Sequence, residues 1–210
     1  MNPRPSKIVC VGRNYVAHAR ELGNDVPERP LIFLKPTSSL IEDGEAIELP
    51  SQSTQVEHEA EIGVVIGRRA RNVSEAEALD YVAGYLPIND VTARDLQKID
   101  GQWTRAKGFD TFCPTGPMVT AQGIDWKSLM IECRVNGAVR QSGKATEMAF
   151  GIPHIISFVS RIMTLEPGDL IATGTPEGVG RLEPGDVVEV ELCGHSHVRN
   201  PVTKSEEQGS

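Results

Sequence analysis

Val56-Glu57-His58-Glu59-Ala60-Glu61-Ile62-Gly63-Val64-Val65-Ile66-Gly67 begins with an acid at every second residue and ends in an apolar run rich in β-branched side chains. That pattern predicts a strand that enters the core through its C-terminal half. Side chains two apart on a strand share a face and sit about 7 Å apart along it. Glu57, Glu59 and Glu61 are therefore expected to line one face. Parallel carboxylates at that spacing repel unless a cation lies among them. Two of them suffice to hold a hard divalent ion, leaving coordination positions for water and substrate. The competing reading is a solvated acidic face with Arg68, Arg69 and Arg71 as surface partners.

Around this stretch the chain punctuates itself into short strands. Residues 8–11, 31–35, 46–49 and 81–89 are apolar runs bounded by Gly, Pro or Asn. Residues 130–140 form a hairpin whose Asn136-Gly137 pair suits a type I′ turn. The pentapeptide Leu-Glu-Pro-Gly-Asp at 165–169 recurs at 182–186, each copy leading into an apolar strand, and is read as two turns of one sheet. Helices are fewer. Asn14 and Gly23 bracket a short helix over about 14–22, Ser74 and Glu77 carry a capping-box pattern, and residues 92–98 look helical. Pro153 opens an amphipathic helix in which Ile152, Ile155, Ile156, Val159 and Ile162 share a face. Strands outnumber helices without regular alternation, which predicts a β-rich α+β domain rather than a doubly wound one. A single domain is expected over 1–199, followed by a polar tail at 200–210.

Composition narrows the function classes. The chain has 210 residues and a formal net charge of −8, so it carries no basic footprint for nucleic acid or an anionic membrane surface. No apolar run has the length of a membrane span and the N-terminus has no long apolar segment, so a cytoplasmic protein is expected. Cys10, Cys113, Cys133 and Cys193 are far apart, with no C-x-x-C pair, and read as reduced thiols rather than a zinc site or disulfide frame.

Several spacings carry possible chemistry. His18 and Glu21 are three apart on the short helix, the arrangement in which a carboxylate orients an imidazole as a base. Asp90, Arg94 and Gln97 fall at helical intervals after the 81–89 strand, and Lys107 lies in a Gly-punctuated loop among apolar residues. The loop 174–180, Gly-Thr-Pro-Glu-Gly-Val-Gly, lets backbone N–H groups approach an anion but lacks a P-loop lysine and a dinucleotide fingerprint.

Taken together, Gly12-Arg13-Asn14-Tyr15 with His18 and Glu21, Phe33-Leu34-Lys35-Pro36, residues 59–67, residues 89–97, Ala106-Lys107-Gly108-Phe109-Asp110 and residues 173–180 resemble the fumarylacetoacetate hydrolase superfamily. The chain is most similar to its short, single-domain acylpyruvase type, across about residues 8–192. The resemblance implies a mixed β-sheet roll with peripheral helices, usually as a homodimer. It implies an Mg²⁺ or Mn²⁺ site of Glu59, Glu61 and Asp90, with Glu57 flanking it, and a His18–Glu21 dyad on a lid helix. Lys107 would be catalytic, and Arg94, Gln97 and Thr175 would bind substrate. The longer hydrolases carry a further acid just before the dyad histidine, and residues 9–14 contain none.

The implied activity is metal-dependent C–C hydrolysis of a 2,4-dioxo acid such as acetylpyruvate or fumarylpyruvate, giving pyruvate and a carboxylic acid. Decarboxylation of oxaloacetate would use the same electron sink. An isomerase or tautomerase of 2-oxo acids is the first alternative. A non-catalytic metal-binding domain is the second, and it accounts for the three carboxylates but not for the dyad or Lys107.

Overall fold

The computed structural model describes residues 5–21, 23 and 25–205. The strands among them are β1 (Ile8–Gly12), β2 (Leu31–Lys35), β3 (Leu40–Ile41), β4 (Ile47–Leu49), β5 (Val56–His58), β6 (Ala60–Ile66), β7 (Val82–Asn89) and β8 (Thr92–Ala93). They continue as β9 (Cys113–Pro114), β10 (Val119–Thr120), β11 (Met130–Val135), β12 (Ala138–Lys144), β13 (Leu170–Ala172), β14 (Gly180–Arg181), β15 (Val187–Leu192) and β16 (Ser196–Lys204). The helices are α1 (Val16–Glu21), α2 (Arg94–Asp100), α3 (Thr104–Lys107) and α4 (Ile152–Ile162).

One mixed sheet runs β10-β7-β6-β13-β1-β2 and a second runs β12-β11-β15-β16-β4, with β14-β5-β8 and β3-β9 as smaller ladders. Most neighbours are antiparallel, while β1 with β13, β16 with β4 and β3 with β9 are parallel. The two large sheets meet where β11 lies against β6, and β15 and β16 against β7. Ile62, Val64, Ile131, Cys133, Val190 and Val198 fill that contact and are fully or nearly fully buried. This is the β-rich roll with peripheral helices that the sequence predicts.

The acidic stretch is not one strand. It divides at Glu59: β5 pairs with β14 and β8, and β6 pairs with β13 and β7. Asn89 explains the break, because its Oδ1 accepts the Glu59 N–H at 3.0 Å, and the Asp90 N–H donates to the Glu59 carbonyl at 2.8 Å. The Asn89 side chain and the Asp90 backbone thus take the hydrogen bonds a continuous ladder would have used.

Other expectations need correction. The body does not stop at 199: β16 continues through Lys204, with Val198, Asn200 and Val202 inward at a period of two. A polar segment with alternate inward residues still makes a strand when a sheet edge is waiting for it, and only 206–210 of the expected tail lie outside the described residues. The lid helix is shorter than 14–22. Leu22 lies outside the described residues, and Asn14 is no cap, its side chain being spent on Phe150 and Thr173. Ser74 and Glu77 do not form the expected box: the Ser74 Oγ donates to Glu77 Oε2 at 2.6 Å, side chain to side chain, and the segment leads into a 3₁₀ turn rather than an α-helix. Strand β2 is an edge, with Leu31 and Leu34 exposed, and Ile162 on α4 is exposed as well.

The repeated pentapeptide folds as the same turn twice. Asp169 Oδ2 accepts the Glu166 N–H at 2.8 Å, and Asp186 Oδ2 accepts the Glu183 N–H at 2.8 Å. The two turns start strands of different sheets, β13 and β15, not of one. The Asn136-Gly137 hairpin joins β11 and β12 with φ of 53° and 79°, as a type I′ turn requires.

Candidate active site

The C-terminal ends of β1 and β7, the Glu59 break, and helices α1, α2 and α3 surround a cleft of about 60 Å³. His18, Glu59, Glu61, Asp90, Arg94, Gln97, Lys107 and Thr175 all line it, and Glu21 stands behind His18. The nine residues chosen from the sequence therefore come together.

Glu59, Glu61 and Asp90 are buried, and one oxygen of each lies within 4.8 Å of the others. Glu59 sits at the strand break, Glu61 on β6 and Asp90 just past β7, so three backbone segments fix the triangle. Asp90 is not on a helix with Arg94 as the spacing suggests; β8 intervenes, and Arg94 is the first residue of α2. Glu57 stays outside the triangle and is tied to it through Arg94, whose Nε donates to Glu57 Oε2 at 2.7 Å and whose Nη2 donates to Glu59 Oε1 at 2.5 Å. Arg94 Nη1 donates to Gln97 Oε1 at 2.7 Å, which leaves the Gln97 NH₂ group free of that bond on the cleft wall.

Two buried lysines offset part of the triangle's charge, at Glu59 and Asp90. Lys107 Nζ donates to Glu59 Oε2 at 2.8 Å and to Asp90 Oδ2 at 2.6 Å. Lys35 Nζ lies 2.7 Å from Asp90 Oδ1 and donates to the carbonyls of Val91 and Lys107. The sequence places Lys35 at the end of a strand and within the Phe33–Pro36 motif but gives it no role; its signal is a lysine closing an apolar run, which must find a partner if the run is buried. The carboxylates respond differently to this field. Burial acts to raise Glu59, yet Lys107 and Arg94 outweigh it and hold that carboxyl well below its usual range. Burial, then the charges of Asp90 and Glu59, push Glu61 well above the usual range. Burial acts against the Lys107 ammonium, but Asp90 and Glu59 hold its pKa above the ordinary lysine value.

These residues fit a divalent ion. The donors are all oxygen, they converge, and Glu61 is the one acid of the three with no ion pair among the described residues, its Oε2 accepting the Gly174 N–H at 2.7 Å. Hard oxygen donors of this kind suit Mg²⁺ or Mn²⁺.

The glycine-rich loop does bind anions, and they are the protein's own. Gly174 serves Glu61, and the Gly178 N–H donates to the Glu21 carboxylate at 3.0 and 3.3 Å. Gly178 has φ of +95°, and a Cβ there would overlap the Arg140 carbonyl. Glu21 Oε2 lies 3.2 Å from His18 Nδ1. A proton on Nδ1 shared with that carboxylate leaves the Nε2 lone pair for the cleft. Thr175 is more committed than the sequence suggests. Its Oγ1 donates to the Ala60 carbonyl at 2.9 Å and accepts from Gln141 Nε2 at 2.7 Å, leaving one lone pair. Gln141 also accepts from the Ala60 N–H and contacts His58 Nδ1 at 2.9 Å. Nothing in the sequence of β12 marks this glutamine.

An aromatic wall completes the cleft. Phe33 and Trp103 meet edge to face at 5.2 Å, and Lys107 Nζ lies 5.2 Å from the Phe33 ring centre. Gly12 permits this wall, since a Cβ there would stand 2.7 Å from the Trp103 ring.

Residues 7–203 match the family model described as fumarylacetoacetate (FAA) hydrolase C-terminal. The chain is 48% identical over 204 residues to the mitochondrial oxaloacetate tautomerase FAHD1 of Arabidopsis thaliana, covering 95% of this chain and 92% of that one. It is 46% identical over 194 residues to the mitochondrial oxaloacetate decarboxylase of Dictyostelium discoideum, covering 90% and 89%. Among solved structures, the 5-carboxymethyl-2-hydroxymuconate delta-isomerase from Mycobacterium smegmatis superposes with a TM-score of 0.90 at 44% identity, covering 97% of this chain and 81% of that one.

Proposed function

The chain belongs to the fumarylacetoacetate hydrolase family, and from that premise we propose that it is a divalent-metal-dependent enzyme of 2-oxo acids, acting on oxaloacetate as tautomerase and decarboxylase. The observation that carries this reading is the convergence of Glu59, Glu61 and Asp90 beside Lys107 in one cleft. Mg²⁺ or Mn²⁺ held by the three carboxylates would supply Lewis-acid polarisation of the substrate's 2-oxo group.

The remaining chemistry falls to the chain. His18, oriented by Glu21 through Nδ1, offers Nε2 to take a proton from C3 and return it to oxygen, which interconverts keto and enol. In decarboxylation the C3–C4 bond breaks, CO₂ leaves, and the electron pair moves to the 2-oxo oxygen until C3 is reprotonated. Lys107 stabilises the negative charge that develops there. Arg94, Gln97 and Thr175 orient the substrate's polar groups, and α1, pinned by Glu21 to Gly178, closes the cleft against bulk water. The proposal includes a homodimer and no nucleic-acid or membrane partner; no helix among the described residues is long and apolar enough to cross a membrane.

A second reading, acylpyruvate hydrolysis, is favoured by the same His18–Glu21 pair, which suits activation of a water for attack on a distal carbonyl. Metal-stripped protein mixed with oxaloacetate or acetylpyruvate, with and without Mg²⁺, separates the readings through enol absorbance and pyruvate release. Metal-dependent loss of the oxaloacetate enol signal, with slower pyruvate release, is the expected result. Faster cleavage of acetylpyruvate would move the assignment to hydrolysis, and silence on every substrate would overturn both.

A further inference from the structure

Arg13 stands apart from the other cations of the cleft. Lys35, Lys107 and Arg94 each have their charge matched by buried carboxylates. Arg13 also lines the cleft and is half-buried, yet among the described residues its guanidinium forms no ion pair and no hydrogen bond. Its backbone is held at φ of +56°, in the left-handed region that non-glycine residues avoid. The neighbouring Asn14 enforces this: its Nδ2 donates to the carbonyls of Phe150 at 3.0 Å and Thr173 at 2.7 Å, and its Oδ1 accepts the Phe150 N–H at 2.8 Å. Backbone strain of this kind persists where the surroundings over-determine it, and it gathers at functional sites.

Charge balance says what Arg13 awaits. Four buried carboxylates, Glu57, Glu59, Glu61 and Asp90, outnumber the three paired cations by one. A divalent ion turns that deficit into one surplus positive charge, which a singly charged 2-oxo acid neutralises. A second substrate carboxylate leaves one negative charge over, and Arg13 is the cleft cation still able to meet it. Its planar fork also suits a carboxylate in two-point contact.

We infer that Arg13 is a specificity-determining residue that pairs with the second carboxylate of a dicarboxylic 2-oxo acid. The inference rests on the 2-oxo acid reading of the site and narrows it to doubly charged substrates.

The test compares (S)-malate and (S)-lactate, unreactive 2-hydroxy counterparts of oxaloacetate and pyruvate, binding to the Mg²⁺-loaded protein by calorimetry. Arg13→Asn removes the charge and keeps a side chain that tolerates the left-handed backbone. Malate should weaken about ten- to hundredfold and lactate by less than about twofold, the loss expected for one charge-assisted contact. KM for oxaloacetate should rise in parallel, with kcat changed far less. Equal weakening of both ligands, or no weakening, overturns the inference and leaves the proposed function standing. Wild-type protein that binds neither ligand and leaves oxaloacetate untouched would instead overturn the proposed function itself. Should Arg13→Asn fail to fold, Arg13→Gly, which accepts this backbone without strain, serves the same comparison.

Discussion

Lys35 and Asp90 form a buried ion pair, with Nζ 2.7 Å from Oδ1 and both side chains closed to solvent. Removing one member of such a pair leaves the other charge desolvated, which costs about 3–5 kcal/mol. Lys35→Met is therefore expected to lower stability in urea by about that amount, still supported by Lys107 on the other Asp90 oxygen. Part of the loss should return with Mg²⁺, because a cation among the carboxylates replaces the missing charge. A Lys35→Met protein as stable as wild type in EDTA would show that the pair contributes nothing net.

Glu61 is the acid with the least compensation, so its removal separates metal binding from folding. Burial and the charges of Asp90 and Glu59 raise its pKa, which means its ionised form destabilises the metal-free protein. Glu61→Gln should be at least as stable as wild type without metal. It should also lose the stabilisation that a ligand at a hundred times its Kd provides, about 2.7 kcal/mol. Thermal unfolding with EDTA and with excess Mg²⁺ measures both. An undiminished Mg²⁺ shift in Glu61→Gln would place the ion elsewhere.

The cluster was legible because its acids stand close in sequence and in motif, whereas their partners do not. Glu59 and Glu61 lie two apart, and Asp90 ends an apolar run that had to deliver something to the end of a strand. The break at Glu59 was not legible, since it depends on Asn89 reaching across from β7 to take the Glu59 N–H. The same holds for Gln141, whose role follows from β12 bringing it beside Ala60 and Thr175. Strand β16 is hidden in the sequence because His197, Arg199, Pro201 and Thr203 hold its outward positions, and only pairing with β15 and β4 makes its inward Val198 and Val202 worth burying. Local pattern revealed donors and turns; contacts between distant segments decided which of them meet.

His18 and Glu21 act as a unit if Glu21 serves to orient the imidazole. His18→Ala should lower kcat for enolisation about a hundredfold or more, the usual contribution of a positioned base. Glu21→Gln should lower it less, and the double variant should cost little beyond His18→Ala, since a lost base needs no orientation. Gly178→Ala, which intrudes on the Arg140 carbonyl, should reproduce the Glu21→Gln defect by displacing the N–H that pins Glu21. Fully additive losses in His18 and Glu21 would separate the two residues.

Asp95 anchors the helix that carries Arg94 and Gln97, and its effect on stability has a defined pH window. Its carboxylate accepts from Ser53 Oγ at 2.6 Å, the Thr54 N–H at 2.8 Å, Thr54 Oγ1 at 3.0 Å and the Leu96 N–H at 2.9 Å. Slight burial acts to raise its pKa, but these hydrogen bonds outweigh it and bring the group down to about 2. A depressed carboxylate contributes stability that is complete above its unfolded pKa, about 4, and is lost as pH falls through the folded value. Wild type should thus lose this contribution between about pH 4 and pH 2. Asp95→Asn should lack it already at pH 7, lowering stability there by about 1 kcal/mol, a figure discounted for the exposure of the group. Urea unfolding at a series of pH values checks both statements. The gap between wild type and Asp95→Asn should close as the medium becomes more acidic, and a gap that stays constant to pH 2 would assign the loss to packing rather than to charge.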